Sequence, residues 1–221
     1  MKLPISYGRQ YISDGDIQAV VETLKSDYLT CGPKIPEFEQ AFCEYVHAKY
    51  SVAVCNATAA LHIAAMALGV KEGDNVICTP MTFASSANCI RFCGGNVKFV
   101  DIDPETYLLD INKLKEILST APKGTYKGMV LVDFAGYPHN MEEYRKVADE
   151  YGMWILEDAC HAPGAYFIDS TGERVYCGCG KYSDITVFSF HPVKHITTGE
   201  GGMACTQNKE YYEKMALYRT H

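Results

Sequence analysis

Long apolar runs are missing from this 221-residue sequence. Nowhere does it contain the roughly 18 consecutive apolar residues that a transmembrane helix needs. The first ten residues, MKLPISYGRQ, also have no apolar core of the kind that a secretory signal requires. With 48% hydrophobic and 21% charged residues, the composition is that of a globular protein. We therefore expect a cytoplasmic protein that does not bind a membrane.

Cys-x-x-Cys pairs are missing as well, although the chain has ten cysteines. Most of them occur singly in apolar stretches, where a reduced cysteine serves as a small hydrophobic residue. The densest group comprises Cys160, His161, Cys177 and Cys179, and its spacing fits no common zinc pattern. We expect neither disulfide bonds nor a metal site.

Clusters of basic residues are absent. The chain has 20 Lys and Arg against 27 Asp and Glu, a net charge of −7, and no stripe that could neutralise a phosphate backbone. Nucleic acid is therefore not an expected partner. No Gly-x-Gly-x-x-Gly motif follows a predicted strand, which argues against a Rossmann dehydrogenase.

From Tyr50 onward, short apolar strands alternate with amphipathic helices. Strands are predicted at 51–55, 75–79, 97–101, 129–133, 154–157, 185–190 and 203–206, and helices at 58–68, 83–93, 111–118, 141–151 and from 209. This alternation predicts an α/β fold with a largely parallel sheet of six or seven buried strands and helices on both faces. Ligand sites in such sheets lie at the carboxyl ends of the strands.

Two helices are predicted before this alternating region, after an irregular arm over residues 1–12. Ser13 is a typical N-cap for the first helix, and Pro36 favours the first turn of the second. Their apolar residues fall on one face: Ile17, Val20, Val21 and Leu24 in the first, and Phe38, Phe42 and Tyr45, predicted to be buried, in the second. We expect residues 1–48 to form an N-terminal arm with helices and residues 49–221 to form the main domain.

The stretch from Ser183 to Met203 carries the strongest functional signal. An alternating apolar strand ends near Ser189, and the glycine-rich loop that follows presents Lys194. A lysine beside a serine that can reach a phosphate oxygen has the groups needed to form an imine with a phosphorylated aldehyde cofactor. For the loop alone, a solvated surface lysine is the more common interpretation.

An anion site is predicted where the first strand of the alternating region meets its helix. Asn56, Ala57 and Thr58 stand there, and backbone amides at a helix N-terminus attract an anion, assisted by the helix dipole. An ordinary helix cap explains the same three residues.

Three more residues could contact an aromatic cofactor. Asp158 ends the strand WILE, and a shielded carboxylate there can pair with a protonated pyridine nitrogen. His161 either lies over the same site or is a core histidine bonded to a backbone carbonyl. Phe83 follows the strand NVICT and could stack on a ring, although in isolation a core position is more common.

Six segments together resemble the DegT-type nucleotide-sugar aminotransferases, which are fold-type-I enzymes using pyridoxal 5′-phosphate. In chain order they are NATAALH (56–62), TPMTFASSAN (79–88), FVDID (99–103), VDFAGYP (132–138), EDACHAPGA (157–165) and FSFHPVKHITTGEGG (188–202). The resemblance implies a mostly parallel seven-stranded sheet in a pyridoxal-phosphate-binding large domain over 49–221. Since the family's chains are far longer, it also implies that the C-terminal end is incomplete and the small C-terminal domain absent.

The resemblance assigns roles by position. Lys194 resembles the lysine that binds the cofactor's aldehyde, Asp158 the acid facing the pyridine nitrogen, and His161 a residue near the phenolic oxygen. The other cofactor positions are Ala57, Thr58 and Ser189 for the phosphate and Phe83 for stacking on the ring. Related sugar 3-dehydratases have histidine at the imine position, where this sequence has lysine, although His195 is adjacent.

The combination of VDFAG and SFHPVKHITT is especially similar to the aminotransferases of pseudaminic acid biosynthesis. Those enzymes aminate C4 of a UDP-linked 4-keto-6-deoxy-N-acetyl sugar with glutamate as donor. Positions corresponding to their substrate contacts are Tyr7, Asp27, Tyr28, Leu29, Thr30, Asn56 and Ser189. The resemblance also implies a homodimer. The alternatives are a noncatalytic fragment or pseudoenzyme and, less favoured, an imine-forming lyase or aldolase.

Overall fold

The computed structural model describes residues 8–220. The helices are α1 (Asp14–Leu24), α2 (Lys34–Val46), α3 (Ala57–Ala67), α4 (Ser85–Phe92), α5 (Ile111–Thr120), α6 (Met141–Tyr151) and α7 (Lys209–Arg219), with a short 3₁₀ turn at Phe134–Gly136. The strands are β1 (Tyr50–Val54), β2 (Asn75–Cys78), β3 (Asn96–Phe99), β4 (Tyr126–Val132), β5 (Trp154–Asp158), β6 (Tyr166–Ile168), β7 (Arg174–Tyr176), β8 (Ile185–Ser189) and β9 (Gly202–Thr206).

Seven strands form one sheet in the order β1-β9-β8-β5-β4-β2-β3. Strand β9 pairs antiparallel with both β1 and β8, and the other pairings are parallel. The predicted seven-stranded, mostly parallel α/β sheet is confirmed. Because β4, β5 and β8 are parallel neighbours, their carboxyl ends at Val132, Asp158 and Ser189 meet at one edge of the sheet.

Helices cover both faces of this sheet. On one face, buried strand residues such as Val130 and Leu156 share a core with α3 and with Met215 of α7. On the other face, their strand neighbours Met129 and Ile155 pack against α5 and α6. This alternation is what a strand buried on both sides produces, since successive side chains point to opposite faces.

The edges and connections differ from the predicted pattern. Strand β3 was predicted to be buried, yet it lies at the edge of the sheet and Phe99 is half exposed. A small antiparallel hairpin, β6 and β7, was not predicted, because its strands have only three residues each. Apolar composition indicates a strand but does not determine its place in the sheet.

The N-terminal helices also show both outcomes. Ser13 caps α1 through a reciprocal capping box with Asp16, as expected for that residue type. Helix α2 buries Phe42 and half-buries Phe38, which pack against Phe190, but Tyr45 is 55% exposed, so its predicted burial is wrong. The centroid of the Tyr45 ring lies 6.1 Å from that of Phe42. Within residues 8–220, no helix combines the length and the apolarity needed to cross a membrane.

Candidate active site

A cleft of about 350 Å³ lies at the carboxyl edge of the sheet. It brings together side chains that are far apart in the sequence. Those predicted from the sequence are Asn56, Ala57, Thr58, Phe83, Asp158, His161, Ser189 and Lys194, and those not predicted include Thr82, Ser85, His191 and Glu200. The cleft therefore collects every predicted catalytic and cofactor position in one place, although their roles stay predictions.

The N-terminus of α3 forms one end of the cleft. Asn56 has an extended backbone and its side chain accepts a hydrogen bond from the Ala59 amide at 2.9 Å. This cap satisfies one of the first amides and leaves those of Ala57 and Thr58 directed out of the first turn. The Thr58 hydroxyl lies 2.6 Å from that of Ser85. Amides, two hydroxyls and the positive end of a helix dipole are suited to a phosphate group.

Strand β9 packs directly against this helix end. Gly202 pairs with Val54 on one side and Ser189 on the other. A Cβ atom at Gly202 would lie 2.4 Å from the carbonyl carbon of Asn56 and 2.6 Å from the amide nitrogen of Ala57. Glycine is thus required for the close approach of β9 to α3. The sequence predicts a loop at Gly202, whereas the structure has it as the first residue of β9, and only the strand register shows this contact.

Asp158 is a buried carboxylate at the end of β5. Its Oδ2 accepts a hydrogen bond from the hydroxyl of Ser86 at 2.5 Å, and its Oδ1 accepts one from the Cys160 amide at 3.2 Å. These two donors fix the carboxyl group while leaving it in the cleft lining. Neither donor was predicted, because Ser86 is in a helix that the sequence alone does not orient.

His161 is half-buried beside Asp158 and Lys194. Burial, followed by the nearby Lys194 charge, lowers the pKa of His161, and Asp158 partly opposes this effect. The amide of Ala135 donates a hydrogen bond to Nδ1 of His161 at 3.3 Å. A neutral imidazole is the form that these surroundings favour.

Lys194 lies in the connection between β8 and β9. Its amide donates a hydrogen bond to the His191 carbonyl oxygen at 2.9 Å, and its side chain lines the cleft with an intermediate exposure. Ser189 ends β8 and is buried, with its Oγ accepting from the His191 amide at 3.4 Å. An amine, a carboxylate and an imidazole therefore converge where the parallel strands end.

Phe83 lies between β2 and α4, and the residue is 76% exposed while lining the cleft. A core position, which the isolated sequence favoured, is therefore wrong. An exposed aromatic face at a cleft is suited to stacking on a planar ligand.

The predicted substrate positions are divided by the structure. Asn56 and Ser189 line the cleft, whereas Tyr28, Leu29 and Thr30 line a separate depression formed with α1 and the start of α2. Asp27 belongs to the same turn, and Tyr7 lies outside the described residues. The contacts of these residues with a substrate stay predictions.

A second group of ionisable side chains is formed by residues of β5 and of the segments that follow β4 and β7. Oxygen atoms of Asp133 and Glu157 and Sγ of Cys177 lie within 4.8 Å of one another, and all three residues are buried. Burial raises the pKa of Asp133 to about 7 and that of Glu157 to about 8. Nδ1 of His139 lies 2.9 Å from Oδ1 of Asp133, and burial lowers the pKa of the His139 imidazole to about 4. In the described chain, Cys177 thus neighbours two carboxyl groups, a grouping that the sequence did not suggest.

Comparison with known proteins shows a family match over almost the whole chain. Residues 10–221 match the DegT/DnrJ/EryC1/StrS aminotransferase family. Over 218 residues the chain is 40% identical to the UDP-4-amino-4,6-dideoxy-N-acetyl-beta-L-altrosamine transaminase of Campylobacter jejuni, covering 98% of this chain and 55% of that protein.

Solved structures show the same similarity. Helicobacter pylori PseC, an aminotransferase involved in the biosynthesis of pseudoaminic acid, superposes with a TM-score of 0.88 at 31% identity, over 98% of this chain and 56% of that one. The protein ntda of Bacillus subtilis, solved with bound cofactor pmp, superposes with a TM-score of 0.78 at 30% identity, over 92% of this chain and 45% of that one. The chain spans about half the length of the relatives it matches.

The family match covers all six sequence segments that carried the resemblance. The resemblance that those segments carry is therefore confirmed, and the sheet and its helices superpose on those of a solved relative. The chain belongs to the DegT/DnrJ/EryC1/StrS aminotransferase family.

Proposed function

We propose that this protein is a pyridoxal-phosphate-dependent sugar aminotransferase that moves an amino group from glutamate to C4 of a UDP-linked 4-keto-6-deoxy-N-acetyl sugar. The observation that carries the proposal is the single cleft in which Lys194, the buried Asp158 and the N-terminus of α3 meet. An amine, a carboxylate and an anion site are the three groups that a phosphorylated pyridine aldehyde requires.

Pyridoxal 5′-phosphate is the cofactor that the family match and the cofactor-bound relatives support. The donor set of the cleft fits it. The amides of Ala57 and Thr58 and the hydroxyls of Thr58 and Ser189 would hold the phosphate. Gly202 supports this assignment, because its missing Cβ is what lets β9 close the cradle behind Asn56 and Ala57.

Each functional side chain has a defined task in this proposal. Pyridoxal phosphate, when bound, supplies an electron sink for negative charge at the reacting carbon. Lys194 would hold the cofactor through its amine, and the same amine, once released, would accept and return a proton as general base and acid. Asp158, with both carboxylate oxygens hydrogen-bonded, would keep a proton on the ring nitrogen. Phe83 would cover one face of the ring.

The donor, the sugar and the assembly belong to the same proposal. Glutamate and a UDP-linked keto sugar follow from the motif resemblance and from the name of the Campylobacter jejuni relative. Tyr7, Asn56, Ser189 and residues 27–30 are the proposed sugar-nucleotide contacts. We also propose a cytoplasmic homodimer, in which residues beyond those of one cleft complete the substrate site.

Covalent trapping tests the cofactor part of the proposal. The purified chain is incubated with pyridoxal phosphate, reduced with borohydride, and mapped by mass spectrometry. We expect the cofactor mass on the peptide containing Lys194, no label there in Lys194→Ala, and unchanged labelling in Lys209→Ala, whose lysine is exposed on α7. Labelling spread over surface lysines, and undiminished in Lys194→Ala, would contradict the assignment.

Turnover tests the reaction itself. The chain is supplied with glutamate and a UDP-4-keto-6-deoxy-N-acetyl sugar, and the formation of 2-oxoglutarate and amino sugar is measured. We expect both products in equal amounts and neither in Lys194→Ala. Trapping at Lys194 without turnover would favour the alternative of a noncatalytic fragment that keeps the cofactor site.

A further inference from the structure

We propose that the turn Phe134–Gly136 fixes the tautomer of His161, so that Nδ1 is unprotonated and Nε2 carries the proton available to the cleft. The inference concerns the protein's own hydrogen bonds. It rests on the proposed function only for the identity of the group that this proton would meet.

The turn contacts His161 at two points. The Ala135 amide donates to Nδ1 at 3.3 Å, and Ala135 has a φ of +55°, in the left-handed region that non-glycine residues rarely adopt. Gly136 has a φ of +84°, and a Cβ there would lie 2.7 Å from the His161 carbonyl oxygen. The turn therefore contacts both the ring and the backbone of His161.

Two buried residues anchor the turn from below. Oδ1 of Asp133 accepts a hydrogen bond from the His139 amide at 3.1 Å and lies 2.9 Å from Nδ1 of the same residue, which closes the loop. The Gly136 amide donates to the Asp133 carbonyl oxygen at 3.1 Å. The Asp133 amide in turn donates to the Asp158 carbonyl oxygen, also at 3.1 Å, so the loop is tied to the strand that carries the cofactor carboxylate.

The direction of the Ala135 bond decides the tautomer. A backbone N–H group can only donate, so the ring nitrogen that the Ala135 N–H contacts must be the unprotonated one. A neutral imidazole then carries its proton on Nε2. Burial disfavours the imidazolium of His161 most, the neighbouring Lys194 and His195 act in the same direction, and Asp158 favours the imidazolium.

A glutamine at this position would keep the same pattern. Its side-chain carbonyl can accept from Ala135 while its amide donates into the cleft. A side chain with only one of these groups would lose either the anchor or the donor. The side chain at position 161 must therefore both accept from the Ala135 amide and donate into the cleft.

Nitrogen NMR of the cofactor-free 221-residue chain tests the inference. The seven histidines are labelled with ¹⁵N, and the His161 resonances are identified by their loss in His161→Gln. Gly136→Ala is the perturbing variant, because its Cβ meets the His161 carbonyl oxygen. Gly124→Ala is the matched control, since Gly124 has a φ of +85° with nothing within 4 Å and precedes the opposite end of β4.

We expect His161 of the wild type to be an Nε2-protonated single tautomer. In Gly136→Ala, the Nδ1-protonated form should appear and the His161 pKa should rise by about half a unit to one unit, the worth of one hydrogen bond to the neutral ring. Gly124→Ala should change neither quantity.

A protonated Nδ1 or a mixture of tautomers in the wild type would overturn the inference, and this result does not depend on whether Gly136→Ala folds. An unchanged His161 in a folded Gly136→Ala would do the same. Both outcomes are independent of trapping at Lys194. The inference and the proposed function can therefore fail separately.

Discussion

The hydroxyl of Ser86 donates a hydrogen bond to Oδ2 of Asp158 at 2.5 Å, across 72 positions of sequence. Thr82 lies 2.6 Å from the same hydroxyl, so a short chain of polar groups connects the start of α4 to the end of β5. Both Ser86 and Asp158 are buried, and a hydrogen bond to a buried carboxylate is among the stronger ones in proteins. Ser86 therefore holds the carboxylate in place within the cleft.

Ser86→Ala should weaken pyridoxal phosphate binding by about tenfold or more, since a hydrogen bond to a charged group contributes roughly 1.5–3 kcal/mol. Titration of the cofactor by fluorescence measures the affinity. Ser51→Ala is the matched control, because Ser51 is equally buried and its hydroxyl donates to the Glu39 carbonyl oxygen. Equal affinities in the two variants would show that Ser86 does not position Asp158.

Gly202→Ala should separate β9 from the start of α3. The added Cβ would fall within 2.6 Å of the Ala57 amide nitrogen, and relief requires a backbone shift that costs roughly 1–3 kcal/mol. We expect a lower melting temperature together with a large loss of affinity for pyridoxal phosphate.

Gly128→Ala separates these two effects. A Cβ at Gly128 would clash with the Trp154 ring at the opposite end of β4 and β5, away from the cleft. We expect this variant to lose stability while a folded fraction keeps its cofactor affinity. If Gly202→Ala and Gly128→Ala lost affinity for pyridoxal phosphate to the same extent, Gly202 would act only through the stability of the whole fold.

The buried carboxyl pair makes stability depend on pH. Burial raises the pKa of Glu157 from 4.5 to about 8, so the folded state binds more protons than the unfolded state between those values. The free energy of unfolding should therefore fall as pH rises through this window, with Asp133 contributing in the same direction. His139, with a lowered pKa, acts oppositely and only below about pH 6.5.

Glu157→Gln should remove the part of the pH-dependent fall in the free energy of unfolding that Glu157 causes. The side-chain carbonyl oxygen of the glutamine can still accept from Ser183 and Thr186, whose hydroxyls lie 2.8 and 2.7 Å from Oε2 of Glu157. Chemical unfolding at pH 6 to 9 should show a decline smaller than that of the wild type by roughly 1–3 kcal/mol. The exposed Glu105→Gln should follow the wild type. A decline of wild-type size in Glu157→Gln would place the titration elsewhere.

Much of the cleft could be predicted from the sequence. Asp158 and Ser189 end apolar strands and Asn56 follows one. The carboxyl ends of strands that run in the same direction meet at one edge of the sheet. The partners of these residues could not be predicted. Ser86 requires the rotation of α4 about its axis, and Gly202 requires the register of an antiparallel strand inside a parallel sheet. Both depend on tertiary packing, which local pattern does not encode.

The burial of side chains also could not be predicted from the spacing of apolar residues in the sequence. Helix α1 has the apolar face that the sequence indicates, yet Ile17, Val20 and Leu24 are each more than half exposed. The spacing of apolar residues determines which face of a helix is apolar. What that face contacts is determined by the rest of the fold.

The hydroxyl pair Thr58–Ser85 provides a test specific for the phosphate end of the cleft. Thr58→Val keeps the shape of the side chain and the backbone amides but removes one hydroxyl, and it leaves Ser85 without the partner that lies 2.6 Å away. Binding of pyridoxal phosphate should weaken by about tenfold, whereas pyridoxal, which lacks the phosphate, should bind with unchanged affinity. Thr23→Val, which removes an exposed hydroxyl bonded to the Ala19 carbonyl oxygen, should affect neither ligand. If Thr58→Val weakened both ligands equally, Thr58 would contact the ring or stabilise the cleft as a whole, and the phosphate would have to be assigned to other donors.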